Sequence, residues 1–134
     1  VEFDTETLAK MVPLAGTMGI ELTAMDKDEV VGRLAWREDL CTSATVLHGG
    51  ALMAFADTLG ALCAFANLPP GAGTSTIESK TNFFRGVRGG VVEGRTKPLH
   101  VGRTTIVLQT DITNEEGKRV AQVTQTQAVL QPQS

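Results

Sequence analysis

Residues 46–66 read VLHGGALMAFADTLGALCAFA, and this stretch decides the fold. Two glycines, Gly49 and Gly50, open an apolar run in which Asp57 is the only charged side chain. Leu52, Met53, Phe55, Ala56, Leu59, Leu62 and Phe65 leave no broad polar face on a 3.6-residue period. That pattern predicts a helix from about Gly49 to Ala66, buried on nearly all sides. The following NLPPGAG ends it. Aspartate is a weak helix former, and a buried carboxylate is costly unless it is paired or neutralised. Asp57 is therefore either satisfied by neighbouring backbone or Thr58, or it does chemistry.

Working outward, residues 4–12 predict a short amphipathic helix with Asp4 or Thr5 as N-cap, carrying Leu8 and Met11 and ending near Pro13. GIELTAMDKDEVVGRLAW reads as a hairpin turning at Asp26–Asp28, with Val30, Gly32, Leu34 and Trp36 alternating onto one face. REDLCTSAT is a polar loop leading into the long helix. Beyond residue 73, TSTIESKTNFF, GVVEGRTKPLHV, TTIVLQTDI and RVAQVTQTQAVL are four strands, the last two joined by the turn TNEEGK. A sheet of about six strands must curl, and one apolar helix is the natural filling for its concave face. The expected class is α+β, one domain over residues 1–134.

With 134 residues, 42% hydrophobic and a net charge of −3, the composition is that of an ordinary soluble domain and argues against nucleic-acid binding. Asp57 and the small residues make the apolar run a poor membrane span. Cys41 and Cys63 have no CxxC spacing, so a reduced, cytoplasmic setting is expected. His48 and His100 are the only histidines and neither has ligand-spaced neighbours, so no metal site is expected.

The start of the helix adds a chemical reason for Asp57. Unpaired N–H groups and the positive end of the dipole favour developing negative charge there, and glycine lets a ligand approach the backbone. Gly49 and Gly50 suit an oxyanion hole, or else form a plain glycine cap with a sharp turn. Gly49 and Asp57 are eight residues apart, about 12 Å along one helix. One carbonyl cannot touch both, so a shared reaction requires Asp57 to meet the glycine amides of a second copy across a dimer interface.

HGGALMAFAD, with the later NFFRGV and PLHVGRTT, resembles the hotdog-fold acyl-CoA thioesterases, particularly the phenylacetate-pathway and 4-hydroxybenzoyl-CoA groups. The resemblance implies a hotdog fold, a curled antiparallel sheet wrapped around one central helix, and hydrolysis of an aryl- or short- to medium-chain acyl-CoA. It implies that Gly49, with Gly50, polarises the thioester carbonyl while Asp57 of the other subunit acts as nucleophile or general base, with His48 ordering the loop. Arg85, Arg103 and Thr104 fall where relatives contact the nucleotide and pantetheine parts of coenzyme A; Arg88, Asn82 and Phe83 join the substrate-binding candidates. Coenzyme A belongs to the substrate and no cofactor is implied. The implied assembly is a homodimer with composite sites, extended to a dimer of dimers.

Charge supports the coenzyme A assignment separately. Residues 80–103 hold Lys80, Arg85, Arg88, Arg95, Lys97 and Arg103 against one acid, Glu93. This is a phosphate-binding patch or a solvated strand face, the latter suiting Arg95 and Lys97. Two positions depart from the family pattern. Thr42 stands where several relatives place Gln or Asn as a second carbonyl contact, and Ala61 stands where Glu-using relatives carry Ser or Thr to hold water; Thr58 is the alternative water holder. Competing readings are a non-catalytic acyl-CoA sensor, a hydratase, for which the short-spaced Asp–His pair is missing, and a Cys41–His48 hydrolase, for which no orienting acid is evident.

Overall fold

The computed structural model describes residues 3–132. Helix α1 (Thr5–Met11) begins where Asp4 accepts a hydrogen bond from the Thr7 N–H at 2.8 Å. A second short helix follows, α2 (Pro13–Met18), over residues for which the sequence pattern predicts no element. Pro13 starts this helix rather than only ending the previous one, because proline's fixed φ and missing N–H suit the first helical turn. Gly19, at φ 76°, closes it in the left-handed region that favours glycine.

The hairpin β1 (Glu21–Met25) and β2 (Val30–Ala35) then forms as expected. Two 3₁₀ turns, at Glu38–Leu40 and Ser43–Thr45, lead into α3 (Gly49–Ala66). Strands β3 (Gly73–Phe83), β4 (Val91–Val101), β5 (Thr105–Thr113) and β6 (Arg119–Leu130) complete one antiparallel sheet of order β1-β2-β4-β5-β6-β3. The outer strands are β1 and β3, and β6 is inserted between β5 and β3.

Helix α3 lies across the concave face and packs on strands β2 to β6. Its Phe55, Ala56 and Leu59 are fully buried. Two strand glycines let it sit this close: a Cβ at Gly32 would stand 2.7 Å from Leu59 Cδ2, and one at Gly94 2.6 Å from Leu59 Cδ1. The helix is not buried on all sides, however. Met53 and Phe65 are exposed and Asp57 is half-buried, because the sheet covers only one side of α3 in the single chain. By length and hydropathy α3 could cross a membrane, but its Leu52, Phe55, Leu59 and Leu62 belong to the sheet's core.

Candidate active site

Asp57 finds its partners on the sheet. Its Oδ1 accepts hydrogen bonds from Thr76 Oγ1 on β3 at 2.8 Å and from Gln125 Nε2 on β6 at 3.1 Å. Thr76 Oγ1 in turn accepts from Gln127 Nε2 at 2.6 Å, and Thr74 Oγ1 donates to Gln127 Oε1 at 3.0 Å. Thr58 is not the partner: its hydroxyl donates to the Ala54 carbonyl at 2.8 Å, one turn back along the helix. Among the described residues no group donates to Asp57 Oδ2. The carboxylate borders an apolar cleft of about 240 Å³ between α1 and α3, walled by Phe3, Met11, Val12, Leu62 and Phe65.

At the helix start, His48 is the N-cap. Its Nδ1 accepts the Gly50 N–H at 2.7 Å, and its carbonyl accepts the N–H groups of Ala51 and Leu52 at 2.9 and 3.2 Å. The glycine pair is thereby split. Gly50 has committed its N–H to His48, whereas the Gly49 N–H has no acceptor among the described residues. The same bond orders the imidazole and, with Nδ1 accepting, leaves Nε2 as the ring nitrogen that carries a proton. Phe83 lies over the glycine: a Cβ at Gly49 would be 3.0 Å from Phe83 Cζ. Asn82 points the other way. It pairs with Gln122 on the outer face, while Phe83 and Thr81 face the helix.

Thr42 is exposed, and its N–H closes a turn onto the Val46 carbonyl at 2.8 Å. Within that turn Ala44 and Thr45 both have positive φ, 61° and 59°. Trp36 Nε1 secures it by donating to the Thr45 carbonyl at 2.9 Å. Of the basic segment, Arg95 pairs with Glu29 and Glu93, and Lys97 pairs with Glu29. These two belong to a solvated strand face. Among the described residues Arg85, Arg88 and Arg103 form no salt bridge. Arg85 Nε donates to the Arg119 carbonyl at 3.0 Å, Arg88 borders a polar depression with Asn114 and Glu115, and Arg103 and Thr104 line a separate depression of about 450 Å³ with Pro69 and Gln131. The three arginines are thus spread over the surface rather than gathered at Asp57.

Neither thiol is a nucleophile in waiting. Burial raises Cys41, whose Sγ donates to the Arg37 carbonyl at 3.3 Å, and burial pushes Cys63 up to about 11. A protonated thiol attacks poorly. Among the described residues no cluster of three metal-ligating side chains occurs.

Thr76, Gln125 and Gln127 were not anticipated. A signal for the glutamines was present: on β6 the buried stripe runs Val123, Gln125, Gln127, Val129, and two amides on an otherwise apolar stripe call for a partner.

A six-stranded antiparallel sheet curled around one long helix is the hotdog fold, and similarity to proteins named thioesterases makes the chain a thioester hydrolase of that fold. Residues 44–121 match the thioesterase superfamily, and the chain belongs to it. The crystal structure of a thioesterase from Haemophilus influenzae is similar, with a TM-score of 0.91 and 29% identity, covering 100% of this chain and 95% of that one. The proofreading thioesterase EntH of Cronobacter turicensis is 30% identical over 102 residues, 76% of this chain and 74% of the relative. A 1,4-dihydroxy-2-naphthoyl-CoA hydrolase of Listeria monocytogenes is 27% identical over 105 residues, 78% and 85% of the two chains.

Proposed function

We propose that the protein hydrolyses an aryl- or short- to medium-chain acyl-CoA to the free acid and coenzyme A, with Asp57 as nucleophile or general base. The observation that carries this reading is the state of Asp57: one oxygen is held by Thr76 and Gln125, and the carboxylate borders an apolar cleft. The cleft suits an uncharged acyl group, since among the described residues Asp57 is the only charged one lining it. The Listeria relative named for an aryl-CoA substrate favours the aryl option.

The proposed site is composite. Gly49 and Asp57 lie on one straight helix about 12 Å apart, too far to serve one carbonyl. Two copies of α3 running antiparallel would bring the Gly49 N–H of one subunit to the carbonyl oxygen attacked with the help of Asp57 of the other. Two features support this pairing. Strand β3 is an outer strand of 11 residues with one side of its ladder unpaired, and Met53, Phe65 and Ile77 are exposed apolar side chains on α3 and β3. The proposed assembly is a homodimer, extended to a dimer of dimers.

In the nucleophilic route a carboxylate oxygen attacks the thioester carbon, the C–S bond breaks, and coenzyme A leaves as a thiolate that takes a proton from water. A second water then hydrolyses the mixed anhydride. In the general-base route Asp57 takes the proton of the water as it attacks the thioester carbon, the C–S bond breaks, and the leaving thiolate receives that proton back from Asp57. Both routes develop charge on the carbonyl oxygen, where a backbone N–H at a helix start stabilises it. Arg85, Arg103 and Thr104 are proposed to meet the coenzyme A moiety, and no cofactor enters the scheme. The proposed setting is the cytoplasm, where Cys41 and Cys63 stay as free thiols.

Asp57→Asn is the test. It keeps the volume of the side chain but can neither attack nor take a proton, and kcat is expected to fall on the order of 10²-fold or more with KM nearly unchanged. Activity close to wild type with a lowered Tm would make the carboxylate structural and sink the mechanism. The composite site is tested by mixing subunits. Gly49→Pro deletes the N–H at a position where proline suits the first helical turn, after a His48 that is already extended (φ −62°, ψ 134°). Each variant alone should be inactive, and mixed dimers should regain part of the wild-type rate. No regain would place both groups in one subunit's site.

A further inference from the structure

We propose that Gln125, seated in the space left by Gly60, is a positioning residue that fixes Asp57 by its Oδ1 and leaves Oδ2 as the oxygen presented to the thioester. The inference rests on the reading of Asp57 as the catalytic carboxylate and adds a residue that never meets the substrate.

The contact between β6 and α3 breaks two local rules at once. Gln125 occupies an inward strand position between Val123 and Gln127 and is 1% exposed, where an aliphatic side chain is the default. Gly60 occupies the interior of an 18-residue helix, where glycine is less favourable than alanine. The two exceptions explain each other. A Cβ at Gly60 would stand 2.1 Å from Gln125 Oε1, 2.4 Å from its Cδ and 2.6 Å from its Nε2, so any side chain there displaces the whole amide. What the chain gains is one hydrogen bond, from Nε2 to Asp57 Oδ1.

The orientation of the amide follows from charge. An ionised carboxylate only accepts, so Gln125 must turn its NH₂ toward Asp57. That leaves Oε1 facing Gly60, and it is one of three buried side-chain polar atoms without a partner among the described residues. A purely structural glutamine would have no reason to bear an orphaned acceptor. Thr76 is directed in the same sense. Its oxygen accepts from Gln127 Nε2, so its single proton is sent to Asp57 Oδ1. Two donors on the same oxygen restrain rotation about the Cβ–Cγ bond and hold the second oxygen in one place, which is the kind of preorganisation that a near-attack geometry requires.

The test compares Gln125→Leu and Gln125→Met, which fill the space without a donor, alone and combined with Asp57→Asn. The expected result is a fall in kcat of about 10- to 100-fold, the range seen when groups that orient a functional side chain are removed. KM should stay within about twofold, since Gln125 touches no substrate. In the Asp57→Asn background the same substitutions should cost nothing further. Wild-type kcat in both single variants, beside an inactive Asp57→Asn, overturns the role of Gln125 and leaves that of Asp57 intact. So does a rise in KM at constant kcat, or a full additional loss in the Asp57→Asn background. An active Asp57→Asn overturns both. If neither apolar variant folds, Gly60→Ala takes their place: it leaves Gln125 in the chain while displacing its amide, and the same split between kcat and KM decides.

Discussion

The two halves of the sheet meet α3 with different materials. Strands β2, β4 and β5 present Val30, Leu34, Val92, Ile106, Leu108 and Ile112, with bare backbone at Gly32 and Gly94. Strands β6 and β3 set among Val123 and Val129 a polar group, Gln125, Gln127, Thr74, Thr76, Ser79 and Thr81. The first half is non-directional: it fixes the depth of the helix by shape and excludes water in proportion to area. The second half is directional. It fixes one carboxylate through hydrogen bonds whose donors must point correctly. Depth and aim are thus assigned to different strands, and a substitution should disturb one without the other.

The largest effect is expected in the aliphatic half. Gly94→Val places carbon against Leu59 and Phe55, whose atoms already lie 2.6 and 2.9 Å from an added Cβ. Thermal or denaturant unfolding should show a loss of about 3 kcal/mol, the upper part of the range for overpacking a core. Molecules that still fold at low temperature should keep their KM. A smaller loss is expected where that half holds a polar pair. Thr96 and Thr110 are both buried and share a hydrogen bond of 2.6 Å, so Thr96→Val strands the Thr110 hydroxyl and should cost about 1–3 kcal/mol. The smallest effect should come from the polar half. Thr81 Oγ1 is buried without a partner among the described residues, so Thr81→Val should change stability by no more than about 0.5 kcal/mol and leave kcat unchanged. A clear fall in kcat there would extend the directional half beyond Asp57, along β3 toward Gly49.

Much of this arrangement was readable from the chain alone. Gly49 to Ala66 is bounded by a glycine pair and by NLPPG, both strong signals, and the helix has those ends. The hairpin at Asp26–Asp28 and the four later strands follow from alternation and turn residues in the same way. What escaped depends on contacts distant in sequence. Thr76 and Gln125 lie 19 and 68 positions from Asp57, and no local pattern links them. Asn82 and Phe83 were both named as substrate-binding candidates, although neighbours on a strand face opposite ways. On β3 the register shift between Thr76 and Glu78 adds one residue, so that Thr74 and Thr76 share a face with Ser79, Thr81 and Phe83 despite the change from even to odd numbers. Simple alternation cannot anticipate that.

Strand order sets when the site can exist. Strand β6 comes last along the chain but sits inside the sheet, between β5 and β3. As the chain emerges from synthesis, β3 therefore waits without a neighbour until the residues of β6 arrive, and its pairing spans positions as distant as Gly73 and Leu130. Closing so long a loop is slow and is rewarded only at the end. The two donors to Asp57 lie on these two strands, Thr76 on β3 and Gln125 on β6. A nascent chain can thus complete its central helix and its first hairpin while its carboxylate is still unanchored, and the docking of one strand finishes the sheet and anchors that carboxylate in the same event.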